Sequence, residues 1–190
     1  MDDKLARMRH KYTAELISTY IPRNSRVLEI GGSREAPYWR RLKGNYDVVT
    51  VNLQRQESVD YVLNVEKDSL EKLGEKFRYV TMFEVIEHLE NPMAALRNVR
   101  NVMERGGLFI GSTPNRFDPY LFLGSKIHED HNYVFDKSTI KHLLGKCGFK
   151  PIEVKNRVLP IILSRRIFIS VDTSRIIPAG RVVFWVTTPL

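Results

Sequence analysis

The stretch VLEIGGS, residues 27–33, decides the fold of this chain of 190 residues. Its first four residues are typical of a buried strand, and Gly31 and Gly32 follow where that strand turns. Glycines at such a turn let a ligand approach the main chain closely, and the start of a following helix offers free N–H groups. A plain glycine turn between a strand and a helix would look the same. The stretch therefore predicts an α/β fold and marks a candidate ligand site.

Outward from this stretch, segments typical of strands and of helices alternate. Strands are predicted at residues 26–30, 46–53, 61–63, 77–83, 108–112, 151–157 and 182–187, and helices at 4–20, 36–43, 69–76, 91–104 and 136–146. The alternation predicts an α/β protein with a mainly parallel sheet and helices on both faces. We interpret the aromatic-rich residues 116–135 as a lid, because long ordered loops are usually functional. No structure is predicted for residues 158–180.

Length and composition predict a single globular domain over residues 1–190, with 43% hydrophobic and 27% charged residues. The one cysteine, Cys147, leaves no partner for an internal disulfide. No segment reaches the roughly 20 apolar residues that span a bilayer, and the N-terminus lacks the apolar core of a signal peptide. We therefore expect a cytoplasmic protein without membrane insertion.

The formal net charge of +8 admits two interpretations. A basic surface attracts nucleic acid or an anionic small substrate, but it also serves simply as a solvated face that aids solubility. One basic set lies in residues 137–181, and the other surrounds the glycine turn and comprises Arg23, Arg26, Arg34, Arg40, Arg41 and Lys43.

A second run, FEVIEHL at residues 83–89, directly follows the apolar segment 77–83. If the chain continues there as a helical turn, Glu84, Glu87 and His88 fall on one side of it. Two carboxylates and an imidazole can orient a substrate, take its proton or bind a divalent ion, with His131 as the best candidate for a fourth ligand. A purely structural role is the remaining alternative.

A nicotinamide cofactor is the obvious competitor for the glycine turn, but the sequence disfavours it. The dinucleotide pattern needs G-x-G-x-x-G and an acid about 20 residues further on. Here the turn reads GGSREA at residues 31–36, and the second strand ends in Asn52 rather than an acid.

Together, VLEIGGS and the run at residues 83–89 resemble the class I S-adenosylmethionine-dependent methyltransferases, in the branch with "EVLEHL" after the fourth strand. The resemblance covers about residues 26–149 and implies a three-layer, Rossmann-like, seven-stranded sheet whose final strand inserts antiparallel. Ser33 and Glu35 stand where later glycines of the motif usually lie, and Asn52 replaces the usual ribose-binding acid. The cofactor-binding residues that the resemblance implies are Glu29, Gly31, Gly32, Ser33, Asn52, Leu53, Asn64, Val65, Phe83 and Glu84.

Two subfamilies that this run resembles, the ubiquinone-pathway O-methyltransferases and the small-RNA 2′-O-methyltransferases, pair an E-x-x-E-H arrangement with a metal. The resemblance thus implies a divalent metal held by Glu84, Glu87, His88 and His131. Other methyltransferases of this branch carry the run without a metal, and the histidine then lies near the substrate. His88 and His131 are accordingly also the candidate catalytic bases.

The function that this resemblance implies is methyl transfer from S-adenosylmethionine to a hydroxyl of a small molecule. An RNA methyltransferase acting on a ribose or a base is the alternative that the basic charge favours. The other alternative is a binding protein that keeps the fold without catalysis, because Ser33, Glu35 and Asn52 depart from the family motif.

Overall fold

The computed structural model describes residues 2–42, 45–118, 131–157, 161–164, 167–169 and 182–190. Residues 119–130, most of the predicted lid, and most of residues 158–181 lie outside this part. The strands are β1 (Ser25–Ile30), β2 (Tyr46–Asn52), β3 (Tyr61–Val62), β4 (Phe77–Phe83), β5 (Met103–Pro114), β6 (Phe149–Arg157), β7 (Ile161–Ser164), β8 (Ile167–Ile169) and β9 (Val182–Pro189). The helices are α1 (Asp2–Tyr20), α2 (Pro37–Arg41), α3 (Pro92–Asn101) and α4 (Lys137–Lys146), with 3₁₀ turns at Leu70–Leu73 and Ile86–His88.

Seven strands form one sheet in the order β3-β2-β1-β4-β5-β9-β6, and β7 pairs with β8 apart from it. The first five strands of the sheet are mutually parallel, whereas β9 runs antiparallel to both of its neighbours, β5 and β6. The predicted mainly parallel sheet with an antiparallel final strand is therefore confirmed.

Each face of the sheet has its own apolar core, because successive side chains of a strand point to opposite faces. On one face, Leu28 and Ile30 of β1 belong to a cluster with residues of α3 and α4. On the other face, Val27 belongs to a cluster with Ile17 of α1 and Trp39 of α2. Helices thus cover both faces, which confirms the three-layer prediction.

Helix α3 begins as its sequence predicts and ends earlier. Asn91 caps its first turn by accepting a hydrogen bond from the Ala94 N–H at 3.1 Å, and Pro92 occupies a first-turn position where no N–H is needed. The prediction that the helix continues to residue 104 is wrong. The Phe77 N–H donates to the Val102 carbonyl at 2.7 Å and Met103 pairs with Phe77, so β5 already begins there.

The described helices include none that is both long enough and apolar enough to cross a membrane.

Gly111 of β5 provides a test of the packing between β5 and β9. A Cβ at this position would lie 2.1 Å from the Trp185 ring and 2.5 Å from the Met82 carbonyl oxygen. Because such overpacking typically costs about 1–3 kcal/mol, we expect Gly111→Ala to lower the free energy of unfolding by that amount, measured by chemical denaturation. Gly145 of α4 is the matched control, since its Cβ would meet nothing within 4 Å and alanine favours a helix by about 0.5–1 kcal/mol. Equal effects of the two substitutions would contradict this packing.

Candidate active site

A cavity of about 350 Å³ opens where β1, β2 and β4 end at the carboxyl edge of the sheet. This edge is where open α/β sheets bind ligands. Four segments at the ends of β1, β2, β3 and β4 line the cavity: Ile30 and Gly31, then Val51, Asn52, Leu53 and Gln54, then Leu63, Asn64, Val65 and Glu66, and finally Glu84, Val85, His88 and Leu89.

The cavity brings together six of the predicted cofactor-binding residues: Gly31, Asn52, Leu53, Asn64, Val65 and Glu84. Leu53 is 65% exposed at this cavity. The other four predicted residues, Glu29, Gly32, Ser33 and Phe83, do not line it. Phe83 instead packs edge-on against Tyr38 in the core beneath α1 and α2.

The turn after β1 requires its two glycines for different reasons. Gly31 has φ +79°, and a Cβ there would lie 2.4 Å from Val85 Cγ2. A Cβ on Gly32 would lie 2.2 Å from Glu29 Oε1. The Gly31 N–H also donates to the Val51 carbonyl at 2.7 Å, which ties the turn to β2. The sequence feature that predicted the site is therefore a steric requirement of the folded chain.

Glu29 lies completely buried under this turn. Tyr38 donates its hydroxyl to Glu29 Oε1 at 2.6 Å, and Thr81 donates to Oε2. Burial nevertheless dominates these bonds and raises the pKa of Glu29 to about 7. Glu29 thus supports the turn from below, and at neutral pH it titrates in the interior.

Glu84 adopts the left-handed backbone conformation, with φ +54°, which is uncommon for a residue other than glycine. Ser112 donates to its Oε1 at 2.7 Å, and the Arg9 guanidinium pairs with its Oε2 at 3.0 Å. The sequence patterns did not reveal Arg9 and Ser112 as residues of the site. Arg9 lies 75 residues from Glu84, so only the packing of α1 brings the two together.

At the rim of the cavity, Glu87, His88 and His131 form a cluster whose candidate ligand atoms all lie within 4.8 Å of one another. The two imidazole rings pack edge to face with their centroids 4.7 Å apart. The main-chain N–H groups of Asn132 and Tyr133 donate to the Glu87 carbonyl at 2.8 and 3.1 Å. These bonds hold the segment that carries His131 against the 3₁₀ turn Ile86–His88.

The Glu87 side chain is 1% exposed and accepts a bond from Thr113 at 3.1 Å. Its Oε1 accepts no hydrogen bond from any described residue, and His88 Nε2 lies 3.9 Å from it. Burial and then the nearby charge of Glu84 raise the pKa of Glu87. Glu84 itself lies outside the cluster, since Arg9 and Ser112 bind its carboxylate. The structure therefore brings together three of the four predicted metal ligands.

Among the residues that the structure describes, those lining the cavity include Glu66 and Glu84 but neither lysine nor arginine, and Arg9 pairs with Glu84 from outside the lining. Such a lining offers few partners for phosphate groups, so it suits a dinucleotide poorly. Several arginines of the basic set around the glycine turn are paired: Arg26 with Asp47 and Glu75, Arg34 with Asp60, and Arg40 with Glu35.

The sheet order, the antiparallel β9 and the glycine turn at the cavity define a Rossmann-like methyltransferase domain. A sequence profile described as "Methyltransferase domain" matches residues 3–154. The chain belongs to this family, within the class I S-adenosylmethionine-dependent methyltransferases, as the sequence predicted.

Similar proteins agree with this assignment. The chain is 41% identical over 113 residues to a ubiquinone biosynthesis O-methyltransferase of Cereibacter sphaeroides, covering 53% of this chain and 45% of the relative. It is 33% identical over 129 residues to the protein of that name from Ruegeria pomeroyi, covering 61% of this chain and 51% of the relative. The chain thus spans about half the length of the curated relatives it matches. An S-adenosylmethionine-dependent methyltransferase of Thermotoga maritima shares the fold, with a TM-score of 0.71 and 18% identity. The match covers 97% of this chain and 90% of the other.

The raised pKa of Glu29 makes stability depend on pH in a defined direction. The folded chain holds this proton more tightly than the unfolded chain, whose glutamate has its ordinary value of 4.5. The contribution of Glu29 is therefore fully present below pH 4.5 and is lost as the pH rises to about 7. A shift of this size corresponds to about 3 kcal/mol.

Glu29→Gln removes the titrating group. We expect the free energy of unfolding of this variant, relative to the unaltered chain, to rise by about 3 kcal/mol between about pH 4 and pH 8. Chemical denaturation across this range measures it, and Glu104→Gln, at an exposed residue of β5, is the control. A difference between Glu29→Gln and the unaltered chain that does not change with pH would contradict the assignment.

Proposed function

We propose that this chain transfers a methyl group from S-adenosylmethionine to a hydroxyl of a small molecule, in the cavity at the ends of β1, β2 and β4. The observation that carries the proposal is the meeting of six predicted cofactor-binding residues in one cavity, with the cluster of Glu87, His88 and His131 at its rim. His88 belongs to both, so a cofactor and an acceptor would meet beside it.

S-adenosylmethionine, when bound, supplies a methyl group already activated by its sulfonium charge. The residues of this chain would then bind, align and shield the reactants. The carboxylate of Glu66 favours a cationic ligand, and the bare turn at Gly31 lets it approach the main chain. Leu53 and Val65 offer apolar contacts for a flat ring.

The choice of a hydroxyl as acceptor rests on the rim cluster and on the relatives, which are named O-methyltransferases. A hydroxyl is protonated at neutral pH, so its oxygen becomes a good nucleophile only if a neighbouring group removes the proton. Imidazole titrates near neutral pH and suits this task. His88 lines the cavity and the His131 ring packs against it, so either imidazole would be placed to accept the proton.

The same cluster fits a divalent metal ion. Glu87 Oε1 is buried with no hydrogen-bond donor among the described residues, and two imidazoles lie beside it. An ion bound by Glu87, His88 and His131 would lower the pKa of an acceptor hydroxyl. Two nitrogen ligands and one carboxylate favour borderline ions such as Co²⁺ or Zn²⁺ over Mg²⁺, and Mn²⁺ stands between them.

An RNA acceptor is the second candidate, and the basic composition is the observation that favours it. The ion pairs of Arg26, Arg34 and Arg40 weaken it, because paired arginines near the glycine turn offer less charge to phosphates. A non-catalytic binding role would retain cofactor affinity without methyl transfer.

The proposed activity is tested by titrating the chain with S-adenosylmethionine and S-adenosylhomocysteine in a calorimeter. Transfer of a labelled methyl group to small alcohols and phenols, or to RNA, is then measured. We expect both ligands to bind and a small hydroxyl compound to accept the label. Glu84→Gln should weaken the binding of S-adenosylmethionine at least a few-fold more than that of S-adenosylhomocysteine, which lacks the sulfonium charge, because the substitution removes a negative charge from the cavity. The control substitution Glu104→Gln makes the same change of charge at an exposed residue and should alter the affinity for neither ligand.

Absence of binding would contradict the proposal. Binding of both ligands without methyl transfer to any acceptor would favour the non-catalytic alternative, and transfer to RNA alone would favour the nucleic-acid one.

Metal use is tested separately by calorimetric titration with Mn²⁺, Zn²⁺ and Mg²⁺ and by methyl transfer with and without a chelator. We expect Mn²⁺ and Zn²⁺ to bind more tightly than Mg²⁺, and His131→Ala to lose binding by about tenfold or more. His142→Ala on α4, a histidine outside the cluster, is the control. Unchanged transfer in chelator, together with no ion bound by the unaltered chain, would exclude the metal.

A further inference from the structure

Asn52, the last residue of β2, makes an unusual set of side-chain bonds at the cavity. Its Nδ2 group donates to the Gly31 carbonyl at 2.9 Å and to the Gly32 carbonyl at 3.3 Å. Its Oδ1 accepts from the Gln54 N–H at 3.1 Å. One atom must donate and the other must accept, so these three bonds together fix the orientation of the amide.

These bonds hold the glycine turn from the side of β2. The Gly31 N–H already bonds to the Val51 carbonyl at 2.7 Å, and the Asn52 amide takes up the carbonyl groups of Gly31 and Gly32. The Gly31 N–H and the carbonyl groups of Gly31 and Gly32 are thus anchored to the end of one strand. Since Gly31 has a positive φ and few conformational restraints of its own, this anchoring defines the path of the main chain that faces the ligand.

A carboxylate at position 52 could not make these bonds. An ionised aspartate only accepts hydrogen bonds, so one of its oxygens would face two carbonyl oxygens at the distances now spanned by the amide. The bond from the Gln54 N–H would survive, but the contacts with the turn would become repulsive. An ionised acid here, which the family usually uses for the cofactor ribose, would therefore lose both bonds that hold the carbonyl groups of the turn.

We propose that Asn52 is a positioning residue that acts on the cofactor through the glycine turn. This chain therefore requires amide donors where the family usually carries an acid, and restoring the acid weakens cofactor binding instead of strengthening it. The inference rests on the proposed function, because the effect is measured on the affinity for the cofactor.

The test compares calorimetric affinities for S-adenosylhomocysteine of the unaltered chain, Asn52→Asp and Asn52→Ala. We expect Asn52→Asp to weaken binding about tenfold or more, and Asn52→Ala to weaken it less, because alanine removes the donors without adding repulsion. The matched control is Asn64→Asp, which adds the same charge to the same cavity. The Asn64 Oδ1 accepts a hydrogen bond from the Glu66 N–H at 2.9 Å, and an aspartate would keep this bond. The Asn64→Asp variant should therefore lose less affinity than the Asn52→Asp variant.

A pH series separates positioning from a general structural defect. In the Asn52→Asp variant, the new carboxyl group can donate its O–H to the Gly31 carbonyl once it is protonated. The carbonyl oxygens that face this carboxyl group disfavour its ionised form and raise its pKa above the ordinary value of about 3.9, so the affinity deficit of this variant should shrink as the pH falls from about 8 to about 4. The deficit of Asn52→Ala should stay constant over that range. Thermal melting of each variant checks that it remains folded.

This inference would be overturned if the Asn52→Asp variant bound S-adenosylhomocysteine as tightly as the unaltered chain, or if it lost no more affinity than the Asn64→Asp variant. The proposed function would still stand in either case. A deficit independent of pH would also overturn it. Absence of binding by the unaltered chain would overturn the proposed function, and this inference with it.

Discussion

A methyl group added to Gly31 would lie 2.4 Å from Val85, and one added to Gly32 would lie 2.2 Å from the carboxylate of Glu29. This lack of space at the end of β1 governs the arrangement around it. Val85 follows β4, so the close approach sets the distance between the ends of the two strands. Glu29 is held beneath the turn by Tyr38 and Thr81, which belong to α2 and β4. Elements on three sides thus converge on one bare stretch of main chain.

The site has two parts that share His88. The cavity follows from parallel strands that end at the same edge of the sheet, while the rim cluster follows from the docking of the segment at residues 131–133 against the turn Ile86–His88. Glu84 links the site to α1 through Arg9, at a backbone conformation that few residues other than glycine adopt. Strained residues of this kind persist where the surroundings over-determine them, and they cluster at functional sites.

Much of the fold was predictable from the sequence, because strands and helices alternate and the strands are apolar runs bounded by glycine, proline or asparagine. The end of α3 was not, since Val102 and Met103 continue the apolar pattern and only their pairing with Phe77 assigns them to β5. Within the site, local patterns predicted Gly31, Glu87 and His88. They could not reveal Arg9, Ser112 or the bonds of Asn52, which depend on contacts between distant segments. The single-domain organisation and the cytoplasmic location stay predictions.

The most direct measurement is a crystal structure of this chain with S-adenosylhomocysteine. We predict the ligand in the cavity at the carboxyl edge of the sheet, in contact with the turn at Gly31 and with Leu53, Val65 and Glu84, and with its sulfur on the side of His88. A ligand bound elsewhere on the chain, or a cavity that stays empty at saturating concentration, would contradict the assignment of this edge as the site of methyl transfer.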